Sequence, residues 1–230
     1  GAGGHGYPGL AVAEELRSRG WNVVWMGAKG GLEARLVPER GYPVEWIRAV
    51  ALRGKGIAAK LFLPLHLFVG SWQSARAIFR VRPDVVLGMG GYVAFPGGMM
   101  ASLLARPLAV HEQNPIAGLA NRVLAGVARR KLGGFPGALK GAEWTGNPVR
   151  DSISLLDVPE KRFQDRTGPL RVLVVGGSLG AQALNECLPR ALALIDASER
   201  PVVTHQAGEK HLESLQKNYQ NEGVKAETVA

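Results

Sequence analysis

Disulfide chemistry is the first thing missing from this sequence, whose 230 residues hold a single cysteine, Cys187. One thiol excludes an intrachain disulfide framework and fits a reducing compartment. Long hydrophobic runs are missing too: Pro64, His66 and Gly70 interrupt the best candidate. No segment therefore reads as a membrane span and none as a signal peptide, so the expected location is cytoplasmic. Acidic residues are scarce, 19 Asp and Glu against 28 Lys and Arg, for a net charge of +9. The deficit is uneven. Residues 1–150 carry 19 basic and 8 acidic side chains, whereas residues 151–230 carry 9 and 11. A basic first part implies an anionic partner, whether phosphate, nucleic acid or lipid headgroups, although an arginine-rich composition would give the same excess. No G-x-x-x-x-G-K-S/T occurs, which leaves a P-loop nucleotidase unsupported.

What the sequence does have is glycine, 31 residues of it, set between alternating apolar strands and helices. The pattern predicts a helix over Pro8–Arg19 closed by Gly20, a strand at 21–27, a short helix at 32–40 closed by Gly41, and a strand at 43–49. A long helical region follows at 56–81, disturbed at Pro64. Then come a strand at 84–88, a helix from Phe95, a strand at 107–113, a helix from Ile116 and a strand at 130–135. Parallel strands joined by helices make a doubly wound sheet. The rhythm breaks in the polar stretch 151–169 and restarts with LRVLVVGG at 170–177. A helix from Ala181, a strand at 201–206, a helix over 209–220 and a strand from Val224 complete it. The expectation is a fragment: a nearly complete domain over 1–150, a linker at 151–169, and the start of a second domain at 170–230.

Three glycine turns open into helices: GAGGHG (1–6), GMGGY (88–92) and GGSLG (176–180). Glycine lets the backbone approach an anion, and the helix behind supplies unpaired N–H groups and partial positive charge. The last two turns follow apolar strands. The first follows no residue at all, so a preceding strand is expected to have been left off. Gly1, Gly3 and Gly6 formally match a dinucleotide fingerprint, which needs an acid at the end of the second strand. Here that strand ends Met26-Gly27-Ala28-Lys29, and the acid is missing.

Polar residues stand where strands end, the side on which open α/β sheets bind ligands. His5 lies in the first turn, and histidine suits a general base near neutral pH; it could equally bond its own backbone. Glu112 and Asn114 sit in HEQN (111–114), and either could cap the helix that follows. Asn147 and Arg150 belong to TGNPVR (145–150), where Arg150 could be a solvated hinge residue, and Ser178 lies in the third turn. Leu61, Phe62, Leu65, Phe68 and Trp72 recur on one helical face flanked by Arg53, Lys55, Lys60, Arg76 and Arg80. That pattern suits an anionic membrane surface, or else packs into the core with a solvated basic rim.

The segments GAGGHGYP, LRGKG, PDVVLGMGGYVAFPGG, HEQNPIAG, TGNPVR and VLVVGGSLGAQALN together closely resemble the MurG family of bacterial glycosyltransferases, along the whole chain. The resemblance implies the GT-B arrangement, two Rossmann-like doubly wound parallel-sheet domains, here a fragment lacking the first strand and most of the second domain. It implies inverting transfer of N-acetylglucosamine from UDP-N-acetylglucosamine to the C4 hydroxyl of the muramyl sugar of lipid I, forming lipid II for peptidoglycan. The acceptor diphosphate would sit on the first domain, where Gly90, Gly91 and Tyr92 are expected to meet it, and the donor mostly on the second. By position, Ala2, Gly3 and Gly4 would lie against the donor with His5 as base beside them and Glu112 as the second candidate. Asn114 would contact the transferred sugar, and Arg150 and Ser178 the donor, Ser178 near its diphosphate. No metal or cofactor is implied. The family works peripherally on the cytoplasmic face of the inner membrane, so the anionic membrane surface is an expected partner, other cell-wall synthesis enzymes are further candidates, and nucleic acid is not expected. Two positions depart from the family pattern: Ala2 where many members have threonine, and Leu179 where glutamine is common. The alternatives are a dinucleotide-dependent oxidoreductase, another GT-B transferase with a lipid-linked acceptor, and a non-catalytic basic module.

Overall fold

Parallel strands alternate with helices through residues 3–30, 33–48, 63–177 and 180–230, the residues described by this computed structural model. The chain divides into two compact units, Gly1–Leu156 and Asp157–Ala230. The first contains α1 (Gly3–Ser18), β1 (Trp25–Ala28), α2 (Glu33–Glu39), β2 (Val44–Ile47), α3 (Leu63–Val81) and β3 (Val86–Gly88). It continues with α4 (Ala94–Leu103), β4 (Leu108–Glu112), α5 (Leu119–Leu124), β5 (Arg130–Gly133), β6 (Glu143–Trp144) and α6 (Asp151–Ser154).

Among the described residues all pairings in this unit are parallel, in two ladders: β1–β2, with Trp25 opposite Val44, and β3–β4–β5–β6, with Val86 opposite Leu108. Side chains alternate across a strand, and β1 uses both faces. A Cβ at Gly9 of α1 would stand 2.7 Å from the Trp25 ring, whereas one at Gly97 of α4 would stand 2.9 Å from Met26 Sδ. On the α1 side Leu10, Ala13, Val37 and Tyr42 form a buried cluster. Under α4 and α5 lie Leu108, Val110, Ala117, Leu124 and Leu139. Helices therefore cover both faces, as a doubly wound sheet requires.

Helix ends follow their glycines. At Gly20, with φ of +82°, the Trp21 N–H donates to the Leu16 carbonyl and the Gly20 N–H to that of Arg17, a Schellman closure. Gly41, at +74°, closes α2 in the same way. Helix starts differ more from expectation. Helix α1 begins at Gly3, five residues ahead of Pro8, so the first glycine turn is itself the opening helical turn. Pro8 is the sixth residue of α1, past the N–H groups that start without partners, so it withholds one bond from the Gly4 carbonyl. Pro64 falls in the first described turn of α3. The expected helical stretch before Leu63 lies outside the described residues, as do Leu61 and Phe62.

Helix α3 also settles which way its apolar residues face. Gly70, Ser74, Ala77 and Ile78 are buried, and a Cβ at Gly70 would stand 2.9 Å from the Arg48 carbonyl oxygen. Leu65, Phe68 and Trp72 point the other way and are exposed, at 56%, 70% and 57%.

The second unit holds α7 (Pro159–Phe163), β7 (Arg171–Val175), α8 (Gln182–Ala193), β8 (Val202–Gln206), a 3₁₀ turn at Glu209–His211, α9 (Leu212–Asn221) and β9 (Glu227–Val229). The polar stretch 151–169 thus contains two short helices, the second opened by Pro159 at a position where its missing N–H costs nothing. Strands β7, β8 and β9 form a parallel sheet whose covered face packs Leu192, Val203, Leu215 and Tyr219 under α8 and α9. Within that core His205 is fully buried, with Nδ1 3.0 Å from the Tyr219 hydroxyl. Burial pushes the His205 imidazole below its ordinary value and the Tyr219 phenol up to about 12. The folded state therefore holds His205 neutral, and the unfolded chain binds its proton more readily. Stability from this site is present above the ordinary histidine range and falls as pH drops through it. Thermal melts between about pH 8 and about pH 5 should show that loss, and His205→Leu should flatten the dependence; an equal slope in the variant would rule the histidine out as its source.

Candidate active site

Strand β4 ends in the sequence His111-Glu112-Gln113-Asn114, and the structure folds three other segments onto that end. The first is the opening of α1. His5 Nδ1 lies 2.8 Å from Gln113 Oε1, and its ring covers the turn after β3. That turn needs glycine for two reasons: Gly90 and Gly91 have φ of +94° and +80°, and a Cβ at Gly90 would stand 3.1 Å from both His5 Cε1 and Asn121 Nδ2. Two of the three glycine turns thus meet at His5. Tyr92, just beyond, is exposed.

The second segment is α5. Glu112, only 1% exposed, accepts four hydrogen bonds. Its Oε1 takes the Asn114 N–H at 3.0 Å and the Asn114 side chain at 2.9 Å; its Oε2 takes the Gly118 N–H at 3.1 Å and Asn121 Nδ2 at 2.9 Å. Burial alone would raise this carboxyl, but the bonds from Asn114, Asn121 and Gly118 outweigh it and hold the group below the usual carboxylate range. A carboxylate with both oxygens so engaged is an organising anion and a poor proton acceptor. It also accounts for the late start of α5, at Leu119 instead of Ile116, because residues 114–118 wrap around Glu112 first.

The third segment is the 145–150 loop. His111 Nε2 is 3.0 Å from the Gly146 carbonyl, and Asn147 Nδ2 donates to the Gln113 carbonyl at 3.1 Å. At the end of this loop the Arg150 guanidinium lies 4.7 Å from the centre of the Tyr7 ring, a cation–π contact that returns to α1. A further carboxyl, Glu33, stands close by. A Cβ at Gly6 would be 3.3 Å from its Cγ, and burial pushes its carboxyl up while the charge of His5 pulls it down.

The structure therefore gathers His5, Gly90, Gly91, Glu112, Asn114 and Arg150 about one strand end, and places Gly3 and Gly4 in the first turn of α1. Ala2 and Ser178 lie outside the described residues. Beyond the residues singled out from sequence, the same strand end holds Tyr7, Glu33, His111, Gln113 and Asn121. The signal for His111 and Gln113 was their place in HEQN; nothing local marks Asn121 or Glu33. At the end of β1, Lys29 follows Ala28, so the position that would bind ribose hydroxyls in a dinucleotide fold carries a cation.

In the second unit the third glycine turn joins β7 to α8, with Gly177 and Gly180 at φ of +77° and +73°. Ala181, at the N-cap of α8, makes no side-chain cap, so the helix N–H groups are free of one.

Two parallel α/β units, each with a glycine turn leading into a helix at its strand ends, define the GT-B class of fold. The sequence matches two family models in succession, the glycosyltransferase family 28 N-terminal domain over residues 1–132 and its C-terminal domain over residues 171–230. The chain belongs to glycosyltransferase family 28. It is 60% identical, over all of its own length and 64% of the relative's, to the UDP-N-acetylglucosamine–N-acetylmuramyl-(pentapeptide) pyrophosphoryl-undecaprenol N-acetylglucosamine transferase of Cupriavidus necator, and 62% identical over the same shares to that of Aromatoleum aromaticum. Among solved structures it is similar to Acinetobacter baumannii MurG, with a TM-score of 0.73 and 32% identity over all of this chain and 63% of that one. The chain spans slightly less than two thirds of the length of these relatives.

Proposed function

We propose that this chain is part of an inverting glycosyltransferase that moves N-acetylglucosamine from UDP-N-acetylglucosamine to the C4 hydroxyl of the muramyl sugar of lipid I. The observation that carries this is the convergence of His5, Asn114 and the Gly90–Gly91 turn on the end of β4, within a chain about 60% identical to transferases named for that reaction. The His5 imidazole accepts the hydroxyl proton as the oxygen attacks the anomeric carbon; the bond to the UDP oxygen breaks on the opposite face, which inverts the centre. Glu112 holds Asn114 toward the sugar and is not the base, since its oxygens are already in use. Gly90, Gly91 and Tyr92 offer the acceptor diphosphate a turn opening into α4. Arg150 and Ser178 serve the donor, and charge gathering on UDP is met by backbone N–H groups, with no metal or cofactor assigned.

The acceptor is a lipid, and α3 suits its surroundings. Leu65, Phe68 and Trp72 are exposed beside Arg76, whose guanidinium lies 5.9 Å from the Trp72 ring centre. Apolar groups in the acyl boundary with cations at the phosphates describe a peripheral contact with an anionic bilayer. No described helix is long and apolar enough to cross a membrane.

The test uses the full gene product with labelled UDP-N-acetylglucosamine and a soluble lipid I analogue. Sugar transfer is expected; a folded protein that binds donor yet transfers nothing would remove the acceptor assignment. In the same preparation, Phe68→Ser with Trp72→Ser should weaken binding to anionic vesicles by roughly 10²- to 10⁴-fold, since each buried side chain contributes about 1.5–3 kcal/mol. Turnover on the soluble analogue should stay intact; unchanged vesicle binding would exclude this face.

A further inference from the structure

We propose that Gln113 and His111 are positioning residues that lock His5 in the tautomer protonated at Nδ1, leaving the Nε2 lone pair free to accept a proton. The proposal rests on the assignment of His5 as base and specifies how this chain keeps that base in a usable form.

The direction of the hydrogen bonds follows from an acceptor at the far end. Gly146 presents a carbonyl oxygen, which can only accept, so His111 Nε2, 3.0 Å away, carries the hydrogen. A neutral His111 then has a bare Nδ1. Gln113 Nε2 lies 3.0 Å from that Nδ1 and 2.9 Å from the His111 carbonyl oxygen, and it donates to both. The reverse amide orientation would set Oε1 against the same carbonyl oxygen, acceptor against acceptor, so these neighbours settle the orientation of the amide. With its nitrogen committed to His111, Gln113 turns Oε1 to His5 Nδ1 at 2.8 Å, and an amide oxygen can only accept. His5 Nδ1 must therefore donate, and the ring nitrogen left without hydrogen is Nε2.

Burial keeps the chain of bonds in one arrangement. His111 and Gln113 are 4% and 6% exposed, and the His111 carbonyl accepts a second bond from Asn121 Nδ2 at 3.0 Å. The Gln113 carbonyl is tied to Asn147. Neutral imidazole in water favours hydrogen on Nε2, the form that could not accept the hydroxyl proton there. When Nε2 of the locked ring takes that proton, the acceptor's O–H bond breaks, the oxygen's electron pair forms the new bond to the anomeric carbon, UDP leaves with the pair of the bond it breaks, and His5 becomes imidazolium. Its Nδ1–H still donates to Gln113 Oε1, so no neighbour has to turn during the step.

The experiment is a long-range proton–nitrogen NMR spectrum of the histidine-labelled full gene product, at a pH where its histidines are neutral, alongside kinetics. In the unsubstituted protein His5 should show a protonated Nδ1 and a bare Nε2. In Gln113→Leu the spectrum should move toward Nε2–H and kcat should fall roughly 10²-fold, with donor Kd within about threefold. An Nε2–H signature in the unsubstituted protein overturns the lock whether or not any variant folds, as does an unchanged His5 spectrum in Gln113→Leu. A tautomer that moves in Gln113→Leu while kcat holds supports the lock and instead removes His5 as the base.

Discussion

His5→Ala in the full gene product should lower kcat by roughly 10²- to 10⁴-fold, the usual worth of a positioned general base, while donor affinity changes by no more than about threefold. The expectation follows from what the imidazole touches. Its Nδ1 is committed to Gln113 and its ring rests on Gly90 and Gly91, the turn proposed to meet the acceptor diphosphate. An interaction used only as the acceptor oxygen is deprotonated affects kcat and kcat/KM together and leaves ground-state binding alone. Alanine should be tolerated by the fold, because His5 is in the first turn of α1 and half-buried, ahead of the packed residues Leu10 and Ala13. Single-turnover transfer measured beside equilibrium donor binding separates the outcomes. Equal losses in the two would make His5 a binding residue, and an unchanged rate would pass the base to another group, such as Glu33, whose carboxyl burial pushes up.

Much of this was legible in the sequence where the deciding physics is local. Gly20 and Gly41 end their helices because only the left-handed conformation closes the last turn, and both were readable as such. The apolar runs of β4 and β7 stood out as parallel strands, of which β4 is buried and β7 is exposed at alternate residues. What failed to show was set by distant partners. Helix α1 runs from Gly3 through Pro8, which glycine content alone does not reveal. Helix α5 starts at Leu119 because Glu112 first claims the Gly118 N–H. The outward turn of Phe68 and Trp72 depended on Gly70 and Ser74 being small enough to bring α3 against the backbone at Arg48. The site divides along the same line. His5, Glu112 and Asn114 were visible as polar residues at strand ends, but the separation of 108 residues between His5 and Gln113 is closed only by the sheet register. Glu112 illustrates the limit well, since its type suggested a base and its four donors make it an anchor.

Gly180→Ala should destabilise the second unit by at least about 4 kcal/mol, against about 1 kcal/mol for Gly177→Ala three residues earlier. The two glycines share the third turn and nearly the same backbone, with φ of +73° and +77°, so the strain of a left-handed alanine is common to both. They differ in what surrounds them. A Cβ at Gly177 meets nothing within 4 Å, whereas one at Gly180 would overlap the carbonyl oxygen of Ala207. That carbonyl cannot withdraw easily. Ala207 is fully buried, its N–H donates to the Val229 carbonyl at 2.8 Å, and its oxygen accepts from Asn185 Nδ2 at 3.2 Å. Relief would have to part β8 from β9 or lift α8 from the sheet, and either breaks into the core around Leu192 and Val203. A loss of that size approaches the whole stability of an ordinary domain. Urea titrations of the full gene product should therefore show a small shift of midpoint for Gly177→Ala and a second unit already unfolded or nearly so for Gly180→Ala. Equal shifts would mean that the turn slides as a body and that its close approach to β8 is not what demands glycine.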